Sequence, residues 1–243
     1  MKNKAFTVAE VLITLSIIGV VSAFVLPSVS QKYEEQVTVS KLKQAYSELS
    51  SSYQIAINRF GPPQYWGLEN SNIEKNDDGS TTTYVPSENL PYERILTALS
   101  KKLIDGKVEA YQPLTLLKTD GIVARVRPVY RLTNGVTLLY PATVSSSQCT
   151  GTSGTSKYLK NICGDIKVDI NGSQGPNILG RDVFVFYYTK YGLVPIGLPE
   201  ETKYHTLDKT CNMSSEDRLN GYSCTAWIIN KGNMAYLKRK ISW

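Results

Sequence analysis

At 243 residues the chain has room for one large domain or two small ones. Hydrophobic residues make up 42% and charged residues 20%, enough apolar side chain for a packed core and too little charge for wholesale disorder. A formal charge of +6 over 243 residues is mild and does not point to a nucleic-acid binder, and a lone histidine, His205, argues against a His-rich metal site and leaves one candidate base for Ser-His or Cys-His chemistry.

The apolar residues are concentrated at the start. Phe6 to Leu26 reads FTVAEVLITLSIIGVVSAFVL, with Glu10 as its single charge. As a helix this stretch spans about 31 Å, enough to cross the hydrocarbon of a bilayer. Lys2 and Lys4 precede it, so the positive-inside bias places this end in the cytoplasm and the remainder outside. A cleaved secretory signal would have a shorter apolar core and a small-x-small site after it; here Pro27-Ser28 follows. The simplest reading is a signal anchor that tethers an exported domain. Glu10 calls for more, because a carboxylate in a membrane helix is costly and usually has a partner and a purpose.

Ala5, Phe6, Thr7, Val8, Glu10, Leu12, Ile13, Leu15, Ile17, Ile18 and Gly19 together resemble the N-terminus of a type IV prepilin or type II secretion pseudopilin. The resemblance implies a leader, residues 1–5, that a prepilin peptidase removes between Ala5 and Phe6. It implies that Phe6 becomes the N-methylated first residue, and that Glu10, then the fifth, serves assembly. The residue before the cut is most often Gly in that family and is Ala5 here. Pro27 stands where many pilins carry a helix-loosening proline.

Beyond Pro27 a helical stripe of Val39, Leu42, Tyr46, Leu49, Tyr53 and Ala56 predicts that the helix continues to residue 58, about 80 Å in all. Gly61-Pro62-Pro63 ends it. Residues 64–90 read as an exposed loop, and 89–104 as a helix with Pro91 in its first turn and Ile95, Leu96, Leu99 and Leu103 inward. From Gly121 the period changes to two. Strands are expected at 122–127, 129–133, 136–140, 166–170, 183–189, 226–230 and 234–238, with a hairpin at Asn134-Gly135. Residues 145–156 read as a low-complexity surface loop. The expected fold is α+β: a long N-terminal helix (6–58, with 6–26 as the transmembrane and assembly segment) packed on an antiparallel sheet in an exported domain, 59–243. The resemblance implies the same pilin-like architecture. Sixteen tyrosines against five phenylalanines suggest a wet, surface-rich β structure.

Four cysteines, Cys149, Cys163, Cys211 and Cys224, would all be exported, where an oxidising compartment favours disulfides. Three connectivities are open. Sequential pairing closes two short loops, each worth roughly 3 kcal/mol in the chain-entropy model. Pilins often staple a C-terminal loop in this way, so the resemblance supports Cys211–Cys224. With no CxxC, and a single histidine six residues from Cys211, zinc is disfavoured.

Residues 168–184, VDINGSQGPNILGRDVF, have two readings. Asp169, Asn171, Ser173, Asn177 and Asp182 gather oxygen donors around three glycines, as a calcium loop would. The same Asn-Gly and Gly-Pro-Asn steps are ordinary turn chemistry between strands. A similar stretch occurs in many proteins with prepilin-type N-termini, and residues 224–237 resemble their C-terminal segments. His205 reads as a solvated loop residue. Lys238, Arg239 and Lys240 read as a solvated basic end, with DNA or anionic lipid as the sharper alternative. An anchored hydrolase using carboxylates such as Asp120 and Asp165 finds no useful spacing.

The functional expectation is a non-enzymatic filament subunit of a type IV pilus, type II secretion or competence system. Its partners would be other pilin or pseudopilin subunits, the peptidase, the inner-membrane assembly platform and the bacterial inner membrane, with no nucleic acid. The alternative is a low-abundance minor pilin that binds a surface, DNA or secreted cargo.

Overall fold

The structure, a computed structural model, describes residues 7–68, 74–75, 81–82, 94–95, 114–115, 117, 122–124, 127–132, 134–144, 146–172 and 174–243. Most of the predicted loop 64–90 and helix 89–104 lies outside these residues, as do Ala5, Phe6, Asp120 and Ser173. Helix α1 runs from Val8 to Phe60 with Pro27 inside it. Contacts divide the chain into Met1–Val37 and Thr38–Trp243.

In the first unit the helix is apolar and bare. An 18-residue window with mean hydropathy 2.3 is 0% buried, and Val8, Phe24 and Leu26 are 77%, 79% and 65% exposed. The polar side chains within it satisfy themselves locally. Thr14 Oγ1 donates to the Val11 carbonyl, Ser16 Oγ to Leu12 and Ser28 Oγ to Val25. Such back-bonding lets hydroxyls enter an apolar medium without orphaned donors.

The second unit is built on a five-stranded antiparallel meander: β5 (Arg127–Arg131), β6 (Thr137–Val144), β7 (Ile162–Asp169), β8 (Val183–Thr189) and β9 (Gly192–Pro195), in that order across the sheet. The short pairs β1 (Glu74–Lys75) with β2 (Thr81–Thr82), and β3 (Leu114–Thr115) with β4 (Ile122–Ala124), stand apart from it. The β5–β6 hairpin turns at Asn134-Gly135, as its sequence predicts, with Gly135 at φ +87°. Its register sets Arg131 opposite Thr137.

All seven residues of β8 are buried, so this strand is covered on both faces. Phe184, Phe186 and Tyr188 share the core with Leu42, Leu49 and Tyr53 of α1. Tyr46 stacks on Phe186, with ring centroids 5.4 Å apart. Val183, Val185 and Tyr187 face the other way, into a second cluster with Leu139, Leu159, Leu179, Val194, Ile196 and Tyr222. Of the predicted stripe on α1, Leu42, Leu49, Tyr53 and Ala56 have no exposed area and Val39 and Tyr46 are half-buried; Ala45, outside the stripe, is buried beside them. The helix ends at Gly61, whose φ of +78° suits the left-handed position that follows a helix.

Three expectations are corrected. Residues 226–230 are not a strand but lie within a helix, Cys224–Lys231, and 234–238 form a 3-10 turn, Ala235–Leu237. The helix closes on Gly232, at φ +67°, whose N–H donates to the Ile228 carbonyl. A short apolar run such as AWII carries no period of its own, and the stop signals Lys231 and Gly232 outweigh it. Nor do the tyrosines line only a wet surface: among the described residues, Tyr53, Tyr188 and Tyr236 are among the largest fully buried side chains. Burial is tolerated because hydroxyls find backbone acceptors. Tyr53 donates to the Thr189 carbonyl at 2.7 Å, and Tyr236 donates to that of Gly180. Strand β9, which is not among the expected strands, follows β8 after a tight turn at Lys190-Tyr191. We label the short helix Leu207–Thr210 α2 and Cys224–Lys231 α3.

Candidate functional site

The first candidate is the start of α1. Glu10 Oε2 accepts from the Thr7 backbone N–H and from Thr7 Oγ1, both at 2.8 Å, and the Glu10 N–H donates back to Thr7 Oγ1 at 3.2 Å. This is a reciprocal capping box, S/T-x-x-E, which satisfies donors that a helix start leaves open. The signal is local: Thr7 is followed three residues later by Glu10, ahead of an apolar run. Glu10 therefore has a task within its own helix, and its carboxylate is exposed.

The cysteines pair as Cys149–Cys163 and Cys211–Cys224. The first ties the 145–156 loop to β7, so this segment is pinned and partly buried rather than free: Ser153 is 2% exposed. The second joins the end of α2 to the first residue of α3.

In the 168–184 segment the carboxylates serve the backbone. Asp169 Oδ1 accepts from the N–H groups of Asn171 and Gly172 at 2.9 and 3.0 Å. Asp182 Oδ2 accepts from Asn177 N–H at 2.8 Å, and its Oδ1 from Ile178 N–H at 2.5 Å. Burial pushes the Asp182 carboxyl above its usual range, and these hydrogen bonds pull it back. Among the described residues no three His, Cys, Asp or Glu side chains gather as a metal site would require. Asn171 Oδ1 is buried with no hydrogen-bond partner among those residues, but calcium takes about six to eight oxygens, and the carboxylates here face N–H donors. Among the described residues, which leave out Ser173, the two carboxylates act as turn acceptors. The expected result is one melting temperature for the chain in calcium and in chelator, read by calorimetry; a rise of several degrees with calcium would favour the calcium loop.

A site that the sequence did not suggest lies on the outer face of the sheet. Glu201, 4% exposed, accepts from Tyr187 OH at 2.7 Å, from Ser153 Oγ, and from Gly197 N–H at 2.8 Å. Gly197 sits at φ +97°, and a Cβ there would meet the Ser223 carbonyl oxygen at 2.2 Å, so only glycine fits. Beside it His205 is buried, not solvated as its polar neighbours suggested. Its ring stacks on Tyr222 at 5.2 Å, and burial pushes its pKa down to about 4. Lys167 pairs with Asp165 at 2.9 Å on the same face. Ser153 is bonded to Glu201 rather than to His205, so these groups do not form a nucleophile–base relay. They clasp the loops at 153 and 197–205 onto the sheet.

Comparison with known protein families, curated proteins and solved structures gave no match.

Proposed function

We propose that the chain is a structural, non-catalytic subunit of a type IV filament system: a type IV pilus, a type II secretion apparatus or a competence system. The observation that carries this reading is the bare apolar start of α1, Val8 to Leu26, interrupted by one carboxylate, Glu10, four residues after Phe6. An exposed apolar helix must be covered by lipid or by other helices, and a filament subunit uses both in turn. A prepilin peptidase cuts after Ala5 and methylates Phe6. The helix then waits in the bacterial inner membrane, with the globular unit on the periplasmic side. The assembly platform finally draws it into a helical bundle of like subunits, where Glu10 meets the charged amino group of a neighbour's Phe6.

The alternative is a scarce tip subunit that binds a surface, DNA or cargo. Tyr65 and Tyr204, 74% and 63% exposed, are the side chains that favour it. Abundance separates the two readings. In a strain that assembles filaments, blotting is expected to find the chain both in membranes and in the sheared filament fraction, which a major subunit dominates and in which a tip subunit is scarce; a chain confined to membranes contradicts the proposal.

A further inference from the structure

The positive charge of this chain is not evenly spread. Residues 224–243 hold Lys231, Lys238, Arg239 and Lys240 and no Asp or Glu, against a net +6 for the whole sequence. Nor is the basic run a loose tail. It is fixed on both sides: Tyr236, 1% exposed, donates its hydroxyl to the Gly180 carbonyl, and Ile241, 6% exposed, enters the main core. Lys238, Arg239 and Lys240 between these anchors are all exposed.

Two indoles adjoin them. Trp227 and Trp243 lie with ring centroids 5.6 Å apart, and the Lys231 ammonium sits over both rings, at 5.8 and 5.7 Å. Trp227 is nearly buried, with its N–H held by Asn233 Oδ1 at 3.0 Å, whereas Trp243 is 40% exposed. Lys43 of α1 adds a further exposed cation beside this corner, its Nζ 3.2 Å from where a Cβ on Gly232 would lie.

We propose that this corner, with Trp243 and the cations at 231 and 238–240, docks on the anionic lipid headgroups of the membrane that holds α1. The inference rests on the reading of α1 as a membrane span. Ammonium and guanidinium groups beside an amphipathic indole match the chemistry of the headgroup layer, where phosphates meet the first apolar carbons. A tethered domain needs little intrinsic affinity, because the tether keeps the membrane at high effective concentration. Docking would hold the waiting subunit against the bilayer until it is drawn into a filament.

The test uses the full chain inserted in vesicles containing brominated lipid, which quenches only indoles that touch the bilayer. The Trp243 contribution is the difference between the chain and Trp243→Phe. In vesicles containing phosphatidylglycerol, Trp243 is expected to be quenched. In purely zwitterionic vesicles it is not. At about 1 M salt, where screening shortens to about 3 Å, quenching disappears without any substitution. The triple variant K238Q/R239Q/K240Q should lower the docked-to-undocked ratio about a hundred-fold, since each cation near such a surface contributes roughly a factor of five. Equal quenching in both vesicle types, or undiminished quenching in the triple variant, overturns the proposal. Absence of quenching in anionic vesicles does so too. If instead a labelled oligonucleotide binds and the triple variant abolishes that binding, the surface belongs to nucleic acid. Alkaline extraction of the same vesicles keeps the two readings apart. A chain that washes out refutes the membrane span, whereas a retained chain that ignores lipid charge refutes only the docking.

Discussion

Glu10→Ala is expected to insert in the membrane and be cut after Ala5, yet to enter filaments about a hundred-fold less well than the wild-type chain when the two are co-expressed. Leaving one partner of a buried ion pair alone costs about 3 kcal/mol or more. The residue left alone would be the ammonium of Phe6 on the neighbouring subunit. The capping box supplies a rival explanation, because Glu10 also closes its own helix start on Thr7. Glu10→Gln separates the two. Glutamine serves at the same capping position as glutamate but carries no charge. If charge pairing governs assembly, Gln fails as Ala does. Wild-type incorporation of Glu10→Gln would show that capping is the whole of the residue's role and would remove the pairing mechanism. The readout is the ratio of tagged variant to wild type in sheared filaments.

The second large effect concerns acid. An unfolded chain takes up a proton at His205 near pH 6.5, while the folded domain, having buried the ring against Tyr222, resists until about pH 4. Burial is the main cause. Lys167 pushes in the same direction, and Asp165 and Asp217 oppose it. The sign follows from proton counting: below 6.5 the unfolded state binds the extra proton, so stability contributed by neutral His205 is intact above that pH and is lost as the pH falls toward 4. The loss is on the order of 3 kcal/mol. Glu201 and Asp182, both raised by burial, act in the opposite sense, but they are common to the chain and to His205→Gln. The difference between the two proteins therefore isolates the imidazole. Urea unfolding in non-ionic detergent, followed by tryptophan fluorescence from pH 7 to pH 4, should show the wild type losing that much more stability than His205→Gln. Parallel curves would mean that the ring is solvated after all.

The features legible in the sequence were those with a long period or a strong local signal. The uninterrupted apolar run to Leu26 and the 3-4-3-4 stripe from Val39 to Ala56 fixed α1 over nearly its whole length. Asn134-Gly135 fixed the first hairpin of the sheet, and the apolar run VFVFYYT fixed β8. Trp227 and its neighbours were misassigned because four apolar residues fit a strand as well as a helix. The buried association of Tyr187, Glu201 and His205 is not legible in the sequence, for another reason. Their burial depends on loops from three parts of the chain closing over the outer face of the sheet, and no local pattern encodes that. Even the capping box at Thr7 and Glu10, local and readable, was hidden by a more conspicuous interpretation of the same carboxylate.

The central claim is that the chain is a processed prepilin-type subunit, and mass spectrometry of the N-terminal peptide from the membrane-inserted protein tests it most directly. The account predicts a chain that begins at Phe6 with a methyl group on its amino nitrogen, residues 1–5 having been removed. An intact Met1 in the assembled protein would contradict it and leave α1 as a plain membrane anchor.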